Sequence, residues 1–346
     1  MSPRSAATTD FAEFAKRSLF IAALVGLGLL LWLLWPVLLL IFAAVLVAIA
    51  LRSLAIPFAR WTPLGMGAAV GVVLVLLLLV LSGTGVMLGV QLSDQLGELW
   101  TRLPEFAKSA QEYLASTTIG STLLRLLPDA KTLFNGVTAG SAVTAATATL
   151  GVLANLLIVV FLGLFFALTP KLYVRGFVAL FPPAYRPRVE DVLAEAATVL
   201  RAWLRAQFVA MLSVGIITWL GLLILDVPLA LGLAFLAFLL EFIPVLGPIA
   251  AAVPAILVGL SVSPMLGLWV TLLYIVIQQV ESYMLLPLVQ RWAVHLPPAL
   301  SLIGIIAFGV LFGWIGVLLA APLMVATTVL VRKIYLESIL EPAKKT

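Results

Sequence analysis

The stretch Pro228-Leu-Ala-Leu-Gly-Leu-Ala-Phe-Leu-Ala-Phe-Leu-Leu-Glu241-Phe-Ile-Pro244-Val-Leu-Gly247-Pro248-Ile-Ala-Ala-Ala-Val-Pro254, apolar onward to Leu260, decides the fold. Apart from Glu241 it has no polar face to offer water, so it belongs in hydrocarbon. It is also longer than the roughly 20 residues that one helical crossing needs, and Gly and Pro interrupt it. The expectation is a broken helix or a helical hairpin. A second run has the same character: Pro298-Ala-Leu-Ser-Leu continuing to Phe312-Gly313-Trp-Ile-Gly316-Val-Leu-Leu-Ala-Ala-Pro322 and on to Val331.

The two runs align. Their Pro-to-Gly distances are 19 and 18 residues and their Gly-to-Pro distances 7 and 6, and each follows one ordinary apolar span. The repeat units are about Phe208 to Ser263 and Met265 to Arg332. With sides alternating, the first broken segment dips from outside and the second from inside, so the repeats are expected to be inverted. Inverted repeats with discontinuous helices are a frequent architecture of secondary transporters, with the substrate site where the broken segments meet. Broken backbone persists in a membrane only where protein or an aqueous cavity satisfies its N–H and C=O groups. Pro244, Gly247, Pro248 and Pro254 are therefore candidate site residues in one segment, and Gly313, Gly316 and Pro322 in the other.

Composition extends this reading to the whole chain. Of 346 residues 64% are hydrophobic and 10% charged, against about 25% charged in a soluble domain. This is an all-α, polytopic membrane protein with about eight membrane segments. Further apolar runs lie at Leu19 to Trp35, Val37 to Leu51, Met66 to Val90, Leu150 to Thr169, Phe208 to Leu225 and Met265 to Leu286. The first two are short and are expected to form a tight hairpin around Pro36. The polar start has no small-residue cleavage site after it, so the first run is expected to stay as an anchor.

The regions are then residues 1–90, N-terminal spans; 91–149, an extracytoplasmic arm and loop; 150–169, one span; 170–207, a cytoplasmic amphipathic segment; 208–332, the inverted-repeat core; and 333–346, a cytoplasmic tail. With both termini in the cytoplasm, 16 of the 20 basic residues lie inside and only Arg102, Lys108, Arg125 and Lys131 outside. In the arm, Asp94, Glu98, Arg102, Glu105, Lys108 and Glu112 oppose Leu92, Leu96, Leu99, Leu103 and Phe106. That is an amphipathic helix, kinked or restarted at Pro104. Tyr185 to Gln207 reads as a second amphipathic helix at the anionic inner leaflet, leading into the next span.

Ionisable groups at membrane depth are functional candidates because their burial is expensive. Glu281 and Gln278 share a helix face at i, i+3 spacing, with Gln279 beside them and Glu241 at the Ile-Pro break. A carboxylate beside amides suits a monovalent cation, a proton or a small polar solute. Asp226 is expected to N-cap the helix that follows it, and His295 to be a polar loop residue. The chain has no cysteine and one histidine, which excludes disulfides, thiolate metal sites and histidine clusters. No GxxxxGK[ST] loop, HExxH or nucleophile elbow occurs, so neither ATP hydrolysis nor another enzyme activity is expected, and no cofactor or metal. The basic residues sit between apolar spans, with no soluble domain to bind nucleic acid.

Phe242-Ile-Pro-Val-Leu-Gly-Pro-Ile-Ala-Ala-Ala-Val-Pro, Gln278-Gln-Val-Glu281, Leu286-Pro-Leu-Val, His295-Leu-Pro-Pro and Phe312-Gly-Trp-Ile-Gly followed by Ala321-Pro-Leu together resemble the AI-2E, or PerM-like, family of bacterial transporters. The resemblance implies a multi-pass inner-membrane carrier of about eight segments, often a homo-oligomer. It further implies export of a small polar solute such as autoinducer-2, or exchange of Na⁺ (Li⁺) for H⁺. A passive channel formed by an oligomer is the alternative.

Overall fold

The computed structural model describes residues 3–115, 142–285 and 298–333, and all regular structure among them is helical. In chain order the helices are α1 (Pro3–Trp61), α2 (Met66–Ala115), α3 (Ala142–Leu168), α4 (Pro170–Ala179), α5 (Arg186–Ile224), α6 (Ala230–Leu240), α7 (Leu246–Val262), α8 (Pro264–Val280) and α9 (Pro298–Val331). Among the described residues, Gly28–Trp61, Pro183–Ile224, Pro264–Met284 and Ala299–Val331 are long and apolar enough to cross a bilayer. A fifth candidate is Ala154–Leu168 with Pro170–Ala179, bent by 91°. Met66–Leu79, Ala230–Leu240 and Leu246–Val262 are apolar but shorter. The chain is thus a multi-pass helical membrane protein, with four or five helices of spanning length where the sequence suggested about eight segments.

The hairpin expected around Pro36 does not form, because α1 runs on through Pro36 and Pro57. A proline costs the helix one hydrogen bond, whereas a turn at that depth would leave several backbone groups unpaired in hydrocarbon. The alternation of sides that put the N-terminus in the cytoplasm relied on that turn.

Small residues bring α1 against its neighbours. Ala48 and Ala55 of α1, Ala69, Val70 and Val73 of α2 and Ala167 of α3 form one buried cluster, since short side chains let helix backbones approach in lipid. Arg52 Nη1 donates to the Ala167 carbonyl at 2.7 Å, pairing an otherwise orphaned acceptor in the last turn of α3. Pro170 then drives Thr169 out of helical geometry (φ −128°, ψ 56°), and α4 leaves at the bend with Lys171 and Arg175 exposed.

The amphipathic stretch forms the second half of α2, which does not restart at Pro104 but continues through it as one helix. Leu99 and Leu103 are buried against Leu222 of α5, Leu233 and Ala237 of α6, Ala251, Ala255 and Val258 of α7 and Val270 of α8. On the opposite, exposed face Glu98 pairs with Arg102 at 3.2 Å and Lys108 with Glu112 at 4.0 Å. The second amphipathic stretch is the start of α5. It is tied to the end of α9, where Lys333 pairs with Glu195 at 2.9 Å and with Asp191 at 3.2 Å, and Arg332 with Glu195 at 3.6 Å.

Two helical hairpins complete the bundle. The 11-residue α6 and the 17-residue α7 are joined by a turn at residues 241–245. Ser263 caps α8, its Oγ accepting from the Leu266 N–H at 3.1 Å with Pro264 in the first helical position. The long α9 is in fact two arms divided at Gly313 (φ 64°, ψ −151°). Gly304 lies against Met324 and Gly309 against Val317, which is possible only if the arms fold back on one another. The open end of the first hairpin, at Val227 and Ala230, sits by Leu99 and Leu103 of α2. The open end of the second reaches Asp191 and Glu195 of α5 through Lys333.

Candidate functional site

The turn between α6 and α7 is where the site begins. The Leu246 N–H donates to the Pro244 carbonyl at 2.8 Å across Val245, whose φ of 69° and ψ of −53° describe a γ-turn. A β-branched residue is strained there, and such strain persists only where the surroundings enforce it. The Gly247 N–H donates to the Ile243 carbonyl at 2.9 Å, and a Cβ on Gly247 would collide with the Leu240 carbonyl. Only glycine lets the strand of backbone entering α7 pass so close to the end of α6.

The second hairpin repeats this geometry. A Cβ on Gly316 would collide with the Phe308 carbonyl, while Gly313 supplies a backbone conformation open to glycine alone. Both tips rest on one apolar cluster: Phe242 from the first, Phe312 and Ile315 from the second, packed on Leu39, Leu200, Trp203, Leu319 and Val325. Trp203 meets Phe242 edge-on with ring centroids 5.8 Å apart, and Trp35 meets Phe312 at 5.4 Å.

Beside that junction lies a polar group in an apolar setting. Glu241 is only 4% exposed. Its carbonyl accepts from Gln207 Nε2 at 2.7 Å, and its carboxyl faces that of Glu281. Glu241 Oε2 has no hydrogen-bond partner within the protein. Glu281 begins a π-helical turn (Glu281–Leu285) at the end of α8, and its Oε2 accepts from Gln278 Nε2 at 3.1 Å. Helical irregularities of this kind are frequent at functional sites.

The structure therefore brings Glu241, Glu281 and Gln278 together. Gln279 is exposed and lies about 100° round the helix from Gln278. Gly247, Gly313 and Gly316 shape the tips, Pro244 lies in the first turn, and Pro248 falls in the opening turn of α7. Pro254 and Pro322 do not interrupt their helices as expected; each is buried within a continuous helical arm. In a packed apolar bundle the lost hydrogen bond of one proline does not force a break.

Asp226 is not the expected N-cap either. That position is held by Leu229, with no side-chain cap, and the Gly232 N–H at the start of α6 instead donates to Gln95 Oε1 of α2 at 2.9 Å. His295 lies outside the described residues. Gln207 was missed, although a lone amide entering an apolar run was a signal. Two buried hydroxyls were missed as well, those of Thr218 on α5 and Tyr274 on α8, neither with a hydrogen-bond partner. Tyr274, Gln278 and Glu281 follow i, i+4, i+7 spacing along one face.

The family model described as AI-2E family transporter matches residues 20–336. The chain belongs to the AI-2E transporter family. It is 32% identical over 296 residues to the Mycobacterium tuberculosis protein MT0215, which is provisionally named a transport protein, covering 80% of this chain and 78% of that one. Bacillus subtilis YueF, named in the same way, is 30% identical over 42% of this chain and 39% of its own length. Escherichia coli YhhT, likewise, is 32% identical over 32% of each. The two hairpins and Glu241 all fall inside the matched residues, so the site belongs to the AI-2E portion of the chain.

Proposed function

We propose that this AI-2E family protein is a secondary transporter of the bacterial inner membrane, in which Glu241 and Glu281 hold the transported or coupling species. The observation that carries the reading is the pair of carboxyl groups facing each other, one of them buried at the tip of a broken hairpin. Two carboxyls offer acceptors only until one is protonated, so a proton, a Na⁺ or Li⁺ ion, or the donor groups of a small polar solute must stand between them. Gln278 and the Gln207 contact with the hairpin tip hold the pair in position.

The hairpins are read as re-entrant and as an inverted repeat. Three features support that reading: their open ends sit at opposite ends of α5, their tips share one cluster, and Gly247 and Gly316 occupy matching close approaches. Arg52, Arg60, Lys171, Arg175, Arg186 and Arg188 lie at the end of the bundle where α9 also finishes, and the positive-inside rule favours the cytoplasm for that end and for the C-terminal tail. Assembly as a homo-oligomer, expected from the resemblance, belongs to the same proposal.

The test is flux into proteoliposomes holding a pH-sensitive dye, with pulses of Na⁺, Li⁺ or K⁺. Cation-driven proton movement that is lost in Glu281→Gln supports antiport through this carboxylate. No movement in either protein rejects antiport and turns the assay to uncharged solutes, beginning with autoinducer-2.

A further inference from the structure

The second unexplained polar group lies away from the hairpins, between α1 and α5. The Arg52 and Arg201 guanidinium groups are near enough to repel one another, and both lie in partly buried positions. Arg201 Nε is buried without any hydrogen-bond partner. One turn along α5, Arg205 Nε donates to the hydroxyl of Ser53, the residue after Arg52, at 2.8 Å. Three guanidinium groups therefore converge on one helix crossing. Among the described residues none of the three forms an ion pair: Arg52 spends one N–H on the Ala167 carbonyl, and the acidic residues of α5 nearest in sequence, Asp191 and Glu195, are engaged by Lys333 and Arg332.

Like charges held together with a buried donor left over cost stability unless an anion joins them. Guanidinium forks match the oxygens of phosphate, and basic pockets between membrane helices at the cytoplasmic side suit phosphorylated headgroups. We propose that Arg52, Arg201 and Arg205 form a binding site for a phosphate group, filled from the crossing between α1 and α5. The group is either the headgroup of an anionic phospholipid or a free phosphate. The site is independent of the carboxyl pair and of what the protein transports.

The experiment uses the full-length protein in phosphatidylcholine nanodiscs, in nanodiscs with part of the lipid replaced by phosphatidylglycerol, and in phosphatidylcholine nanodiscs with inorganic phosphate. Lipid retention is read by native mass spectrometry and Tm by thermal unfolding. One phosphatidylglycerol kept per chain, with retention weakened about tenfold in Arg201→Gln, supports the site and names lipid as its source. A Tm raised by inorganic phosphate in wild type and not in Arg201→Gln supports it with free phosphate. In phosphatidylcholine alone Arg201→Gln unfolds no lower than wild type, because it loses a repulsion and no bond; this separates ligand loss from misfolding. Equal responses of wild type and variant to both anions, or no response in wild type, overturn the proposal.

Discussion

The carboxyl group of Glu281, at the end of α8, faces that of Glu241 in the turn after α6, across 40 residues of sequence. Replacing either by Gln leaves an amide that fills the same space and can hydrogen-bond the remaining carboxylate. Both variants are expected to fold, with Tm at or above wild type, and to lose cation-driven proton flux at least tenfold, about 1.4 kcal/mol of interaction. Parallel flux and thermal-unfolding curves check this, and unchanged flux in well-folded Glu281→Gln excludes the pair from transport.

The hairpin tips should tolerate no added methyl. Gly247→Ala and Gly316→Ala each drive a Cβ into a backbone carbonyl that cannot rotate away, at about 1–3 kcal/mol by analogy with overpacked cores. Gly313→Ala meets no neighbour, yet costs about 1–3 kcal/mol through its backbone angles alone. Gly176→Ala in α4, with open space and helical geometry, is the control and is expected to be neutral or slightly stabilising. Denaturation of the four variants in the same detergent gives the ranking.

Gln95 acts as a cap supplied from another helix. Gln95→Leu removes the acceptor for the Gly232 N–H and is expected to destabilise by about 1 kcal/mol. Gln95→Glu keeps the acceptor and adds a negative charge at a helix N-terminus, so it should match wild type. Hydrogen exchange at Gly232 is the sensitive measurement: faster in the Leu variant, unchanged in the Glu variant.

The junction of α5 and α9 is held by ion pairs of unequal exposure: Lys333 and Glu195 are mostly buried, Asp191 and Arg332 mostly exposed. Lys333→Met deprives the mostly buried Glu195 of its shorter partner and is expected to cost about 1–3 kcal/mol, of which only the part owed to the exposed Asp191 should shrink in molar salt. An unchanged Tm would show that the Lys333 stem, rather than its charge, holds the two helices.

Local features carried far into this structure. The amphipathic face of α2, the glycines of both tips and the Gln278–Glu281 pair depend on residues a few positions apart, and all were legible. Pro36 misled because a proline that ends a helix in water is accommodated in lipid, where unpaired turns cost more. Asp226 had the chemistry of a cap, but the acceptor for α6 comes from Gln95, 137 residues before Gly232, and no spacing rule encodes such a partner. Glu241 was visible as a lone acid, whereas its neighbour Glu281 emerged only once α8 was packed against the first hairpin.

The shortness of α6 has an electrical consequence. Eleven residues rise about 16 Å, half of a hydrocarbon core of about 30 Å. If the hairpin is re-entrant, as proposed, it enters from one surface and stops there, setting Glu241 part-way down the voltage drop. A cation moving between bulk solution and that carboxylate crosses about half the field, about 1.1 kcal/mol for every 100 mV. Occupancy of the site would then follow the membrane potential as well as concentration, giving the protein a built-in sense of how energised its membrane is.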